Sequence, residues 1–202
     1  TPGEITVEQA AELLRKFVNR EDMINIFIPL LESGISNYTK YFVVKGLKKT
    51  IYKFWTIIDP ELKEHIKSFI FSYIPSILQQ NAEGYLILEC NKTLVEILYI
   101  EWPEQWPSFI PDLLETTKIS VPVCTNCFDI LTLLCEAVEE GTKCYITTAR
   151  ALEISAGISE NAEQIMTFIQ ETLKESSDVK QAKATITFLT CFLRFLEPSS
   201  LY

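Results

Sequence analysis

Glycine is scarce, with six in 202 residues, and no Val/Ile/Thr-rich stretch alternates with polar residues, so nothing calls for a sheet. There is one histidine, His65, so a Cys–His nucleophile or a histidine-based metal site would have to use it. No apolar run approaches the ~18 residues that a membrane span needs. The densest stretch, SFIFSYIPSIL at 68–78, is short and contains Pro75. A phosphate-cradling glycine loop and a signal-peptide pattern are both missing. Basic residues are the minority, and the formal charge of −9 argues against a nucleic-acid binder. Six cysteines in a chain that is neither small nor loop-rich point to a reducing compartment rather than a disulfide framework. The chain starts TPGE without an initiator methionine, and we expect it to be part of a longer protein.

What is present is helical periodicity. Val7, Ala10, Ala11, Leu14, Phe17 and Val18 share a stripe, behind a capping-box pattern at Thr6 and Gln9. A second helix is expected over about 21–33, ending at Gly34 as a C′ residue, and a third from an Asn37 cap to about Trp55 or Ile57. Asp59-Pro60 reads as a cap followed by proline at the first helical position, opening a helix to about Gln79. Further helices are expected over 85–101, from Trp106-Pro107 to about Lys118, from Pro122 to Glu140, and over 159–175 and 178–196. The stretch 142–157 gives no clear pattern beyond a loop and a short helix.

Three segments line up: FIPLLES (27–33), YIPSILQQ (73–80) and FIPDLLET (109–116). Each is aromatic, Ile, Pro, one residue, then apolar residues. FIQETLKE (168–175) keeps the frame with Gln170 in the proline place. A short helix followed by a longer one, recurring at about 40–47 residues, is the pattern of HEAT and armadillo repeats. The expected fold is all-α, an α-solenoid of HEAT repeats. It consists of antiparallel helix pairs in a right-handed superhelical stack. The expected division is an orphan inner helix at 5–18, then repeats at 21–56, 60–101, 106–140 and 159–196. Pro107 is expected in a first helical turn and Pro111 as a bend in a short outer helix. Trp102 and Trp106 are expected to fill the corner between two repeats, since aromatics bury about 150–250 Å² each.

The candidate chemistry is thin. CTNC at 124–127 is the sharpest motif, but Cys135 and Cys144 stand at intervals unlike a zinc ribbon or finger. Cys124, Cys127, Phe128, Leu131, Leu134, Cys135 and Val138 fall on one helical stripe, so the thiols read as small core residues. Cys90 and Cys191 read the same way, and His65 reads as a surface residue. No catalytic, cofactor or metal site is expected. Against the acidic bulk, the helix from Asn37 carries Lys40, Lys45, Lys48, Lys49 and Lys53. Lys45, Lys49 and Lys53 share a face. That stripe is either simply solvated or a patch that faces an acidic partner.

EWPEQWPSFIPDLLE (101–115) resembles the Trp-Pro-rich signature of the exportins, HEAT-repeat nuclear transport receptors of the importin-β (karyopherin) superfamily. NYTKYFVVKGLKKTIYKFW (37–55), NKTLVEIL (91–98), NCFDILTLLCEAV (126–138) and FLRFL (192–196) are similar to other stretches of the exportin-1 type. The likeness runs from about residue 5 to 196. The Trp-Pro motif alone would also suit the tRNA or microRNA-precursor exportins. A HEAT scaffold unrelated to transport is the other alternative.

The resemblance implies a receptor and not an enzyme. Its N-terminal inner helices would contribute to binding Ran-GTP, without a cofactor, a membrane or direct nucleic-acid contact. Export-signal cargo would bind through a later part of the chain, nuclear pore proteins would be further partners, and the protein would shuttle between nucleus and cytoplasm. Val43, Val44, Lys45 and Gly46 depart from the family's pattern. The lysine patch is therefore offered from its position, with Lys45 and Lys49 on helix 37–56 and Asn91 and Lys92 on helix 85–101 as candidate contacts.

Overall fold

The computed structural model describes residues 24–140 and 147–196. The expected helix at 5–18, the stop at Gly141 and the thiol of Cys144 lie outside the described residues. Nine α-helices and no strand are found among the described residues. They are α1 (Ile24–Glu32), α2 (Asn37–Phe54), α3 (Pro60–Gln79), α4 (Gly84–Glu101), α5 (Phe109–Thr116), α6 (Val121–Glu140), α7 (Thr148–Glu160), α8 (Ala162–Glu175) and α9 (Val179–Leu196), with a 3-10 turn at Trp55–Ile57. The fold is all-α, of the HEAT-repeat kind.

Local chemistry sets the starts. Ser36, not Asn37, caps α2: its hydroxyl accepts from the Thr39 N–H at 3.2 Å. Asp59 caps α3, its Oδ1 taking the Glu61 N–H at 2.9 Å, and Pro60 follows at the first position. Asp178 does the same for α9, accepting from the Gln181 N–H at 2.8 Å. Val121 precedes Pro122 as the first residue of α6, with the Ser120 carbonyl accepting from the Cys124 N–H at 2.9 Å. Gly34 does not take the left-handed φ of a C′ glycine.

The repeat frame is visible in burial. Phe27-Ile28, Tyr73-Ile74 and Phe109-Ile110 are buried, and so is Ile169 in the fourth frame. Two positions past the proline place, Leu31, Ile77, Leu113 and Thr172 are buried in turn. Pro29, Pro111 and Gln170 face solvent. Proline at 29 and 75 removes one rung from a helix interior. Pro111 does not, because α5 begins at Phe109 and the proline stands in its first turn. The bend expected there is therefore replaced by a helix start, with Pro107 just outside it.

The chain divides into two compact units, residues 1–74 with 81–96 and residues 75–80 with 97–202. In the first, α1 packs on α2, and Val44, Leu47 and Ile51 of α2 are buried. Trp55 closes the end of α2 with the Lys63 ammonium 5.9 Å from its ring. In the second, α9 lies along α6. A run of rings crosses that core: Phe168 stacks on Phe128 at 4.7 Å, Phe128 meets Phe188 at 5.9 Å, and Phe188 stacks on Phe192 at 5.5 Å.

The Trp-Pro segment is the second unit's most specific packing. Trp102 is fully buried and meets Phe109 edge-on at 6.4 Å, while Trp106, half-buried, meets the same ring at 5.3 Å. The short helix expected within 142–157 is α7, capped by Thr147, with residues 142–146 outside the described residues, and Gly157 of α7 lies directly on Trp102. A Cβ there would sit 2.7 Å from the indole, so only glycine lets the helix backbone come this close. Arg150 of α7 reaches the end of α4. Its Nε donates to the Tyr99 carbonyl at 2.7 Å and its Nη2 donates to the Trp102 carbonyl. Pro103 stands four residues after Tyr99 and has no N–H to offer that carbonyl. A side chain from 51 residues away supplies the missing donor.

Candidate partner-binding face

The candidate residues fall on two neighbouring helices of the first unit. Tyr41 of α2 meets Tyr85 of α4 edge-on at 5.6 Å. One to two turns further along both chains, Lys48 Nζ lies 2.5 Å from Glu89 Oε1. The two contacts advance in the same direction, so α2 and α4 run side by side and parallel. Such an arrangement is what successive inner helices of a solenoid present.

The lysines do not act alike. Lys48 is turned into the seam, where Glu89 is 8% exposed. The ammonium approaches off the hydrogen-bond direction, but at this separation charge attraction needs no alignment. Lys45, Lys49 and Lys53 point outward, as the spacing predicts, and Lys92 of α4 joins them in solvent. Lys45 Nζ stands 5.7 Å from the Tyr41 ring. Tyr52 and Leu88 are exposed on the same two helices, so the face combines cations with aromatic and aliphatic surface.

Asn91 is a correction. It is 2% exposed, so it cannot touch a partner without rearrangement. α4 is covered around most of its circumference, with Cys90, Asn91, Thr93, Leu94 and Val95 all buried. A purely amphipathic reading allows one buried stripe, and an inner helix has more than one. The residues that sequence reasoning missed are Glu89 and Glu96, which share a side of α4 with Lys92. Their spacing was a usable signal, but the fact that Lys48 faces them was not.

Burial raises the Glu96 carboxyl above its ordinary pKa, and Lys48 pulls it partly back. A carboxyl raised in the folded state adds stability that is fully present below its unfolded pKa. That contribution is lost as pH rises through the raised value. Glu96→Gln should therefore stabilise the fold at pH 7, with the gain shrinking to nothing below the ordinary carboxylate range. Urea unfolding of both proteins at pH 7 and pH 4 reads this directly. An equal gain at both pH values would contradict it.

The described thiols, Cys90, Cys124, Cys127, Cys135 and Cys191, are all buried. Burial pushes Cys90 up to about 12, with the Glu89 charge adding to it, and burial pushes Cys127 to about 12 against a Thr116 hydrogen bond. Cys124 is raised by burial as well. The expected stripe of Cys124, Cys127, Phe128, Leu131, Leu134, Cys135 and Val138 is buried throughout. Cys191 is buried with Phe188, Phe192 and Phe195. Among the described residues no three His, Cys, Asp or Glu side chains converge as metal ligands. His65 is exposed.

Comparison with known proteins agrees with this architecture. Residues 83–201 match the family described as Exportin 1-like protein. Protein EXPORTIN 1B of Arabidopsis thaliana is 28% identical over 191 residues, covering 93% of this chain and 18% of the relative. Exportin-1 of Schizosaccharomyces pombe is 25% identical over 197 residues, covering 94% of this chain and 18% of its own length. Exportin-1 of Drosophila melanogaster is 28% identical over 173 residues, covering 83% and 16%. The chain thus spans about a fifth of the length of these relatives. With more than half of its residues matching the family, and with an all-helical fold among the described residues, the chain belongs to the exportin 1-like family.

Proposed function

We propose that this chain is the N-terminal portion of a nuclear export receptor and that its α2–α4 face contributes to binding Ran-GTP. The observation that carries the reading is the division of labour among the lysines. Lys48 is neutralised by Glu89, while Lys45, Lys49 and Lys92 project from adjacent parallel helices. On a chain of net charge −9, a local cationic face of this kind favours an acidic partner surface and speeds its approach. Export-signal cargo and nuclear pore proteins would engage other parts of the longer receptor. The protein would shuttle between nucleus and cytoplasm and would catalyse nothing itself. We retain the repeats at 21–56, 60–101, 106–140 and 159–196, with 5–18 as the inner helix of a preceding repeat and α7 as an added helix.

The test is charge reversal in the longer receptor. Lys45→Glu/Lys49→Glu should slow association with Ran-GTP about tenfold at low salt, with the difference shrinking above physiological ionic strength. Association measured by stopped flow at two salt concentrations checks it. Unchanged rates at low salt would remove the face from the interface.

A further inference from the structure

A second surface lies in the other unit. Between α5 and α8 there is an open groove of about 600 Å³. Pro111, Leu114, Glu115 and Lys118 form one wall, spaced as one face of a helix, and Gln164, Thr167, Phe168 and Glu171 form the other. Its origin is the brevity of α5. The helix stops after eight residues, and the Thr116 and Thr117 hydroxyls turn back to the carbonyls of Leu113 and Leu114 at 2.7 and 2.6 Å. The break between α7 and α8 at Asn161 sets the far end of the groove.

Its chemistry is one-sided. On the α5 wall, Lys118 Nζ sits 2.5 Å from Glu115 Oε2, so that wall is close to neutral. On the other side Glu160, Glu163 and Glu171 line the groove, and none of them pairs with a cation among the described residues. Glu163 stands in the first turn of α8, where it offsets the positive end of that helix. The remaining two carboxylates leave the groove negative. Leu114 and the half-buried Phe168, whose ring is fixed by stacking on Phe128, supply an apolar floor. The volume suits one or two side chains rather than a whole helix.

We propose that this groove docks a short lysine- or arginine-bearing segment of a partner protein. One aliphatic side chain would lie on Leu114 and Phe168, and flanking cations would reach Glu160, Glu163 and Glu171. Charge complementarity selects the occupant: an acidic segment would meet like charges, and a purely apolar one would strip water from the three carboxylates without replacing it.

The probe is a fluorescein-labelled peptide with a central leucine flanked on both sides by lysine pairs, titrated against the full chain by anisotropy. Glu163→Lys/Glu171→Lys should weaken binding about tenfold or more. Glu61→Lys/Glu83→Lys makes the same change in net charge on exposed residues of the other unit, and should leave binding nearly unchanged. Thr167→Trp fills the groove without altering charge and should abolish binding while circular dichroism stays that of the parent. Replacing the probe's leucine with serine should also weaken it. Equal losses in both charge variants would mean attraction to an acidic protein at large and would overturn the proposal. Undiminished binding to Thr167→Trp, or no binding of the probe to the parent chain, would overturn it as well.

Discussion

Replacing Trp102 with alanine should destabilise the second unit by about 3–5 kcal/mol, among the largest effects of any single substitution in this chain. The ring is fully buried, with Phe109 at its edge and the backbone of α7 on its face at Gly157. Those contacts come from two separate helices, α5 and α7, so the cavity cannot collapse by moving one of them. Trp102→Phe should cost much less. It keeps an aromatic contact and removes an indole Nε1–H that is buried without an acceptor, a group that itself costs about 1–3 kcal/mol. Gly157→Ala should destabilise too, because the overpacking cost of about 1–3 kcal/mol exceeds the helix propensity gained. Combining Gly157→Ala with Trp102→Phe should recover part of that loss, and the coupling is the signature of direct contact. Urea midpoints for the four proteins would show it. Additive single effects would mean that the glycine and the indole do not meet.

Replacing Arg150 with leucine should cost about 2–3 kcal/mol, although the residue lies on the surface of its own helix. Its guanidinium donates to the carbonyls of Tyr99 and Trp102, and charged donors to buried acceptors are the strong class of hydrogen bond. The leucine keeps most of the apolar stem, so the loss reports the bonds and not the packing. Arg150 also pairs with Glu153 at 2.7 Å, but that partner is half exposed, and Glu153→Ala should cost under about 1 kcal/mol. Arg150→Lys should rescue only partly, since an ammonium lacks the planar fork that spans two carbonyls. A loss in Glu153→Ala as large as that in Arg150→Leu would place the energy in the surface pair instead.

These two residues also show where the sequence was legible and where it was not. Asp59-Pro60 and Asp178 marked their helices because a cap and its helix are neighbours in sequence. The same logic chose Asn37 over Ser36, since either side chain can cap and the difference is one residue of register. The aromatic-Ile-Pro frame was readable because each repeat buries the same positions. Helix α7 was legible only as a short helix somewhere in 142–157, and its continuation through Gly157 to Glu160 was not, because the close approach of that glycine depends on Trp102 lying against it. Arg150 was hidden for a related reason: its acceptors are main-chain carbonyls, that of Tyr99 left over by Pro103 and that of Trp102 beyond the end of α4, and no side-chain pattern reports them. On the candidate face, helical spacing put Lys45 and Lys49 on one side of α2, and Lys92 was offered from its place on α4; all three are exposed. Asn91 was misplaced because α4 has neighbours on more than one side.

The claim on which the functional account rests is that these repeats belong to a receptor that senses the nucleotide on Ran. Its most direct test is a binding measurement on the longer protein with its N-terminal repeats intact. Ran loaded with a non-hydrolysable GTP analogue is compared with Ran loaded with GDP at physiological salt. The account predicts binding at least tenfold tighter to the GTP form, strengthened further by an export-signal peptide. Equal affinity for the two forms, or binding to neither, would contradict it.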